Sequence, residues 1–100
     1  MERFTIHEES AEIVKATITD PAASKKWPKF EETVTENPFH HPKHRRIAKL
    51  EKGTKFPLGT YRFRDDPLRV VYFPNKESRV VYPLAAGTAS NIAYKKKSKK

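Results

Sequence analysis

The sequence predicts an α+β fold: a small twisted antiparallel sheet, built from an N-terminal strand and a C-terminal three-strand meander, with two N-terminal helices packed on one face. Two patterns support this class. Apolar residues recur at helical spacing in residues 10–36, whereas residues 61–84 alternate and are rich in β-branched and aromatic side chains. Helical segments followed by consecutive strands are typical of α+β domains.

The first two elements are a short strand and a helix. Phe4 to Ile6 is the candidate strand, and Glu8-Glu9-Ser10 supplies acidic and capping residues for a helix start. We expect this helix to run from Ser10 to Ile18 and to face the core with one apolar stripe. The stripe consists of Ala11, Ile13, Val14 and Ile18.

Asp20-Pro21 predicts the start of a second helix, because aspartate is a good N-cap and proline suits the first helical position. Pro28 conflicts with one continuous helix, since an interior proline removes a hydrogen bond and clashes with the preceding turn. The segment to Glu36 is therefore either kinked or, as we favour, a loop followed by a shorter helix from Trp27. Asn37-Pro38 ends this helix. Its core-facing residues are Trp27, Phe30 and Val34.

Residues 39–53 form a basic connector interrupted by proline, for which we expect at most one or two helical turns. Ile47 and Leu50 are expected to anchor the connector to the core. Its cationic residues then point outward, where they are candidates for contacts with phosphate groups. They are Arg45, Arg46, Lys49 and Lys52.

The connector also contains His40, His41 and His44, of which the first and last have a spacing that raises the question of a metal site. Pro42 lies between them and disfavours the helix that would place both on one face. No cysteine or nearby acid completes a ligand set. We therefore expect a solvated loop that faces phosphate, with no metal and no other cofactor.

The centre of the predicted meander is a hairpin over residues 59–73. In Tyr61 to Arg64, alternation with a period of two directs both aromatic rings to the core and both guanidinium groups to the opposite face. Asp65-Asp66-Pro67 supplies the chemistry of a tight turn, and Leu68 to Phe73 has the composition of a strand. One face of the hairpin is therefore core, and the other is a basic platform.

A second turn over Phe73 to Glu77 leads into a further strand from Arg79 to Leu84, which completes the meander. Arg79 adds a basic residue near this turn and is another candidate for phosphate contact. Residues 95–100, Lys-Lys-Lys-Ser-Lys-Lys, are expected to form a frayed tail. The expected organisation is one domain over residues 1–94 and a flexible basic tail.

Composition limits the class of protein and its compartment. One hundred residues suffice for one small domain, and a hydrophobic fraction of 36% against a charged fraction of 33% predicts a thin core. The absence of cysteine excludes disulfides and thiol chemistry and fits the reducing cytoplasm. No apolar stretch has the length of a signal peptide or a membrane span, so we expect a soluble cytoplasmic protein without a membrane partner.

The net charge of +9 is concentrated in the second half of the chain. Residues 1–40 carry five Lys/Arg against eight Asp/Glu, a net of −3, whereas residues 41–100 carry sixteen against four, a net of +12. Such asymmetry favours a polyanionic partner such as a nucleic acid, because each neutralised phosphate releases counterions. The alternative is a basic surface that serves only solubility.

Several short motifs resemble the RelE/ParE superfamily of bacterial and archaeal toxins. They are Asn37-Pro38, Leu50-Glu-Lys-Gly, Gly59-Thr-Tyr-Arg-Phe-Arg and Leu68-Arg-Val-Val-Tyr, within the order strand, two helices, basic connector, meander and terminal tyrosine. The resemblance extends from about Phe4 to Tyr94. It is most specific over Tyr61 to Tyr72, where a tyrosine and two alternating arginines precede a short turn and an arginine followed by apolar residues.

The resemblance implies a small toxin whose active surface lies on the sheet face opposite the helices and is controlled by a cognate antitoxin. RelE-like members are metal-independent ribonucleases that cut messenger RNA on the ribosome, by attack of a ribose 2′-oxygen on the adjacent phosphate. By motif position, Arg62 and Arg64 look like the family's paired basic residues, and Arg69 looks like its phosphate-binding arginine. Tyr94 looks like the C-terminal tyrosine that acts near the scissile bond.

One departure from the RelE pattern leaves the activity open. RelE-like ribonucleases commonly place an arginine, lysine or histidine just before the terminal tyrosine, where residues 87–93 read Gly-Thr-Ala-Ser-Asn-Ile-Ala. Either a connector histidine or Tyr94 supplies the acid or base, or the chain is a weak or inactive nuclease. The remaining alternatives are a ParE-like toxin, which poisons DNA gyrase without cutting RNA, and a non-catalytic nucleic-acid-binding module.

The three arginines also have a purely structural interpretation. Arg62 and Arg64 are compatible with the solvated face of a half-buried sheet. Arg69 is positioned to form an exposed ion pair with one of the meander's carboxylates, which are Asp65, Asp66 and Glu77.

Overall fold

The computed structural model describes residues 3–39, 46–50, 55–89 and 92. Among these residues are three helices and five strands. In chain order they are β1 (Thr5–Ile6), α1 (Glu8–Lys15), α2 (Pro21–Ser24), α3 (Trp27–Glu36), β2 (Ile47–Lys49), β3 (Tyr61–Asp65), β4 (Leu68–Asn75) and β5 (Val80–Gly87). The strands form one sheet in the order β1-β5-β4-β3-β2, so the predicted α+β class is confirmed.

Helix α1 begins earlier and ends earlier than the sequence predicted. The ring of His7, rather than Ser10, caps it, with His7 Nδ1 accepting a hydrogen bond from the backbone N–H of Ser10 at 3.3 Å. Ala11 and Val14 are buried as expected, but Ile13 is 70% exposed, so its assignment to the core was wrong. Ile13 lies two residues from Ala11, which places its side chain about 200° away around the helix.

The second helical segment follows the favoured alternative of a short helix from Trp27. Asp20 caps α2, since its Oδ2 accepts from the backbone N–H of Ala23 at 2.9 Å, and α2 ends after one turn. A new helix, α3, then places Pro28 in its first turn, where a missing N–H leaves no helical bond unmade. Within the described ranges, none of the helices is long and apolar enough to cross a membrane.

The sheet is mixed rather than antiparallel throughout. Each strand from β2 to β4 pairs antiparallel with the next strand along the chain. Strand β1 instead pairs parallel with β5, with Thr5 opposite Val80 and Ile6 opposite Val81. A parallel pair requires a long crossover connection, which the helices and the meander provide here. A two-residue strand carries no pattern from which its pairing direction could be predicted.

Residues 47–49 of the connector form an edge strand, which was not predicted from the sequence. Strand β2 pairs with β3, placing Ile47 opposite Phe63 and Lys49 opposite Tyr61. Without β2, the edge of β3 would present unpaired backbone groups, and β2 satisfies them. Ile47 packs against the core as predicted.

The hairpin of β3 and β4 is confirmed, and both later strands are longer than expected. The turn consists of Asp66 and Pro67, because Asp65 pairs with Leu68. Strand β4 continues through Pro74, which lies beyond Tyr61, the first residue of β3, so its β3 side is an edge, where proline is tolerated. Strand β5 continues past Leu84 to Gly87.

All three helices pack on one face of the sheet. Residues of α1, α2 and α3 form a single buried cluster with Phe63 of β3 and with alternate residues of β4. Phe30 is central, with its ring centroid 5.4 Å from that of Phe63 and 5.6 Å from that of Tyr72. The hydroxyl of Tyr72 donates to the Pro38 carbonyl at 2.7 Å, and burial raises the pKa of this phenol. The opposite face of the central strands carries arginines together with Val71, which is fully buried but does not belong to this cluster.

Candidate functional site

Three arginines lie on the sheet face opposite the helices, and we refer to Arg62, Arg64 and Arg69 together as the arginine face. In β3 the side chain of Phe63 is fully buried, so the alternating neighbours Arg62 and Arg64 point to the other face. Arg69 occupies the same face in β4, between the buried residues Leu68 and Val70. Strand alternation thus brings together the three arginines that the sequence singled out.

Arg64 and Arg69 are direct partners across the hairpin. The Cβ atoms of directly opposed residues in an antiparallel pair are about 4.5–5.5 Å apart, and like charges at such positions repel each other. Arg62 lies two residues along β3, opposite Val71. The arrangement concentrates positive charge at the turn end of the hairpin, where an anion would lower the repulsion.

Asp66, in the turn, supplies a negative charge to this pair. Its Oδ1 is 2.6 Å from Nη1 of Arg69 and 3.7 Å from Nε of Arg64. The hydrogen bond from Arg69 and the charge of its guanidinium hold the pKa of the Asp66 carboxyl below its usual value. The side chain of Asp66 is 70% exposed, whereas that of Arg69 is 14% exposed. Asp66 was predicted from the sequence as one possible partner of Arg69, but the contact of Asp66 with Arg64 was not predicted.

Asp65 lies on the other side of the hairpin, which faces the helices. Its carboxylate is 3.7 Å from Nζ of Lys26, which precedes α3, and 3.5 Å from Nε of Arg46, which precedes β2. The backbone carbonyl of Arg46 also accepts from the N–H of Arg64 at 2.7 Å. Arg46, a predicted phosphate contact, is therefore engaged with a carboxylate at the edge of the sheet.

Two further predicted phosphate contacts lie away from the arginine face. Lys49 is opposite Tyr61 in the register, and Tyr61 packs against the core, so Lys49 belongs to the helix side of the sheet. Arg79 follows the far end of β4, about 20 Å from Arg69 along an extended strand. Its backbone adopts a positive φ of 58° in the turn.

Several predicted residues fall outside the part of the chain that the structure describes. They are Arg45, Lys52 and Tyr94, together with the histidines His40, His41 and His44 and the tail of residues 95–100. Their predicted roles stay predictions. Within residues 3–39, 46–50, 55–89 and 92, no group of three or more His, Cys, Asp or Glu side chains is arranged to hold a metal ion.

The one histidine among the described residues has a structural role at the opposite edge of the sheet. His7 caps α1, and its ring centroid is 4.9 Å from that of Tyr82 in β5. Two strands, β5 and β4, separate β1 from β3 in the sheet. The structure therefore does not bring His7 next to the arginine face.

Gly59 positions the start of β3. Its φ of +88° lies in the region that favours glycine, and a Cβ at this position would be 3.2 Å from Cε1 of Phe73. The next residue, Thr60, is buried and donates from Oγ1 to the Pro57 carbonyl at 2.6 Å. These contacts fix the point at which alternation begins and hence the face on which both arginines of β3 emerge.

No family model and no curated protein matches the sequence. The fold is similar to that of a chain in the crystal structure of the archaeal RelE–RelB complex from Pyrococcus horikoshii OT3, with a TM-score of 0.57. The two chains are 21% identical, and the similarity covers 91% of this chain and 98% of that one. The chain therefore has a RelE-type fold, as its motifs predicted.

Proposed function

We propose that this RelE-type chain is the toxin of a toxin–antitoxin pair and acts as a metal-independent endoribonuclease that cuts messenger RNA at the ribosome. The observation that carries the proposal is the arginine face, in which Arg64 and Arg69 are directly opposed on neighbouring strands and Arg62 lies beside them. The RelE-type fold supports it, because the family resemblance implies an active surface on this side of the sheet.

The arginine face suits the chemistry of ribonucleotide cleavage. Attack by a 2′-oxygen on the adjacent phosphorus breaks the bond to the 5′-oxygen of the next nucleotide and passes through a phosphorane with additional negative charge. Guanidinium groups bind phosphate oxygens through paired N–H donors and stabilise such charge when they are held in place beforehand. The side chain of Arg69 is well held, since only 14% of it is exposed.

Proton transfer requires groups beyond the arginines, because the 2′-hydroxyl loses a proton and the 5′-oxygen gains one. Tyr94 is our candidate near the scissile bond, because it resembles the C-terminal tyrosine of RelE-like toxins. A phenol carries a proton that it can donate, so the Tyr94 hydroxyl is better suited to protonate the 5′-oxygen than to deprotonate the 2′-hydroxyl.

The proposed partner of the free toxin is an antitoxin that covers the arginine face. The similar archaeal structure is a complex of RelE with RelB. Three guanidinium groups on one sheet face favour an acidic segment of the partner, because charge complementarity accelerates association and excludes wrong partners. Such a segment would block RNA by occupying the same donors.

A cleavage assay with the double variant Arg62→Ala/Arg69→Ala tests the proposal. In a cell-free translation system, we expect mRNA cleavage to fall by at least about 100-fold, the usual effect of removing a preorganised transition-state donor. The matched control is Lys25→Ala/Lys29→Ala, which removes two positive charges from exposed positions on the helix side. Undiminished cleavage by the arginine variant, or an equal loss in the lysine variant, would exclude the arginine face as the site.

A gyrase-directed toxin is the second candidate, and one observation favours it. Residues 87–93 contain no arginine, lysine or histidine, so the segment before Tyr94 lacks an acid–base side chain of the kind common in RelE-like ribonucleases. Inhibition of DNA supercoiling by the purified protein, with RNA left intact, would support this candidate. Unchanged growth on expression of the free chain would contradict both toxin functions and favour a non-catalytic nucleic-acid-binding module.

A further inference from the structure

The turn between the two arginine-bearing strands contributes a carboxylate to the arginine face itself. Asp66 Oδ1 contacts guanidinium nitrogens of both opposed arginines, at 2.6 Å for Arg69 and 3.7 Å for Arg64. A carboxylate oxygen and a phosphate oxygen are both anionic acceptors, and each binds guanidinium N–H groups with the same geometry. The carboxylate thus uses donors that a phosphodiester would require.

The fold places few other demands on the Asp66 side chain. It is 70% exposed, and it belongs to a two-residue turn in which asparagine is as well tolerated as aspartate. The structural clamp at this end of the hairpin is instead Asp65, which contacts Lys26 and Arg46 on the other side. The Asp66 carboxylate can therefore leave the arginines without loss of a buried contact.

We infer that Asp66 is an intramolecular competitor for phosphate: its carboxylate occupies the Arg64 and Arg69 donors in the free protein, and a phosphodiester displaces it on binding. This inference rests on the proposed function, in which these arginines hold the RNA backbone. The need to displace the carboxylate lowers the affinity of the arginine face for RNA. When no RNA is bound, Asp66 stays paired with Arg64 and Arg69 and screens their mutual repulsion.

The competition would also raise the number of contacts that a ligand needs for measurable binding. A weakly anionic or singly charged ligand must replace a carboxylate that is covalently tethered beside the arginines, and tethering gives this competitor a high effective concentration. A polynucleotide adds contacts at Arg62 and along its backbone, so it displaces Asp66 more readily than a single phosphate ion does. A single phosphate ion has no such additional contacts to offset the cost of displacing Asp66.

The test compares Asp66→Asn with Glu77→Gln for binding of a fluorescein-labelled 2′-O-methyl oligouridine of about ten nucleotides, a length within the usual site size for single strands. The 2′-O-methyl groups prevent cleavage. Both variants raise the net charge by one, but Glu77 lies in the turn at the far end of β4. From the usual strength of an exposed ion pair, we expect Asp66→Asn to bind about two- to fivefold more tightly than Glu77→Gln.

The salt dependence gives a second readout that a purely structural role would not change. If Asp66→Asn frees one guanidinium charge for the backbone, the slope of log affinity against log salt becomes steeper by about 0.7 for a single strand. Equal affinity and equal slope in the two variants would overturn the inference. Weaker binding by Asp66→Asn would also overturn it, because the carboxylate would then orient the arginines for the ligand rather than compete with it.

Arg69→Ala separates failure of this inference from failure of the proposed function. If Arg69→Ala leaves oligouridine affinity unchanged, the arginine face does not hold the backbone, and both ideas fail. If Arg69→Ala weakens binding while Asp66→Asn equals Glu77→Gln, only the competitor role fails. The double variant Arg69→Ala/Asp66→Asn should lose most of the gain seen in Asp66→Asn, since coupled residues are not additive.

Discussion

Asp65 and Asp66 are adjacent in the sequence, but their carboxylates serve opposite sides of the hairpin. Asp65 faces Lys26 and Arg46, whereas Asp66 faces Arg64 and Arg69. Two successive carboxylates at the end of a strand can reach both sides because successive side chains alternate. The pair therefore balances the charge of the helix side and of the arginine face at a single turn.

The contribution of Asp66 to stability should depend on pH. The pKa of its carboxyl is lowered in the folded protein from the ordinary value of 3.8, chiefly by the hydrogen bond from Arg69. The stabilisation is therefore fully present above pH 3.8 and is lost as the pH falls through the lower pKa of the folded state. In urea unfolding, we expect the difference between wild type and Asp66→Asn to be constant near neutral pH and to shrink in acid.

Glu77→Gln serves as the control in this pH series, because it removes a carboxylate at the other end of β4. A difference between wild type and Asp66→Asn that stays constant from neutral pH to below the folded pKa would contradict the ion pair. The side chain is well exposed, so the effect should also weaken at high salt.

Local alternation predicted which face each residue of β3 occupies, but it could not predict contacts across the turn. Arg62 and Arg64 lie on the sheet face opposite to that of Phe63, as the period of two required. The contact of Asp66 with both arginines depends on the register that sets Arg64 opposite Arg69, and the register depends on the turn length. The error at Ile13 has a simpler cause, since the sequence alone did not fix which arc of α1 faces the sheet.

At the scale of elements, the helix starts could be predicted from strong local signals, but the short strand β2 could not be predicted. Pro28 marked the start of α3, and Asp20-Pro21 marked the start of α2, because proline and a capping carboxylate act within one turn. Strand β2 has three residues and takes its hydrogen bonds from β3. Such a strand exists because a neighbouring edge is available, which no local pattern reveals.

Gly59→Ala should destabilise the entry to β3. Alanine is strained at a φ of +88°, and its Cβ would press on the Phe73 ring, at 3.2 Å from Cε1. We expect a loss of about 1–3 kcal/mol in the free energy of unfolding, measured by urea denaturation.

Leu58→Ala is the matched control for this variant, since Leu58 is adjacent in sequence and 72% exposed. Its free energy of unfolding should stay within about 0.5 kcal/mol of the wild-type value. Equal stability of Gly59→Ala and Leu58→Ala would mean that the chain can relax at Gly59 without strain.

At the scale of the whole molecule, one thin core holds both layers together. Phe30 is fully buried and its ring contacts those of Trp27, Phe63 and Tyr72. Phe30→Ala should lower the free energy of unfolding by about 3–5 kcal/mol, which is a large share of the 5–15 kcal/mol typical of a domain. We expect a clear drop in the midpoint of thermal unfolding measured by circular dichroism.

Ile13→Ala provides the contrast, because Ile13 was predicted to be in the core but is 70% exposed. Its midpoint should differ little from that of the wild type, since surface substitutions usually change stability by less than about 0.5 kcal/mol. A loss comparable to that of Phe30→Ala would show that the face of α1 carrying Ile13 is covered in solution.

The fold class could be predicted from the sequence, but the topology of the sheet could be predicted only in part. The order of helices and strands indicated an α+β domain, and the motifs of the hairpin indicated the RelE-type fold that the structural similarity supports. The parallel pairing of β1 with β5 joins residues 5–6 to residues 80–81. Contacts between such distant segments are decided by packing of the complete chain, so they leave no trace in a local pattern.

Strand β4 serves the core and the arginine face at once. Leu68, Val70 and Tyr72 are buried beneath the helices, while Arg69 emerges between the first two on the other side. A strand in the middle of a sheet exchanges its amide protons only through the largest opening events, which approach global unfolding. The surface that carries Arg69 is therefore as stable as the domain itself, and a ligand of Arg69 would meet a face that is already ordered before contact.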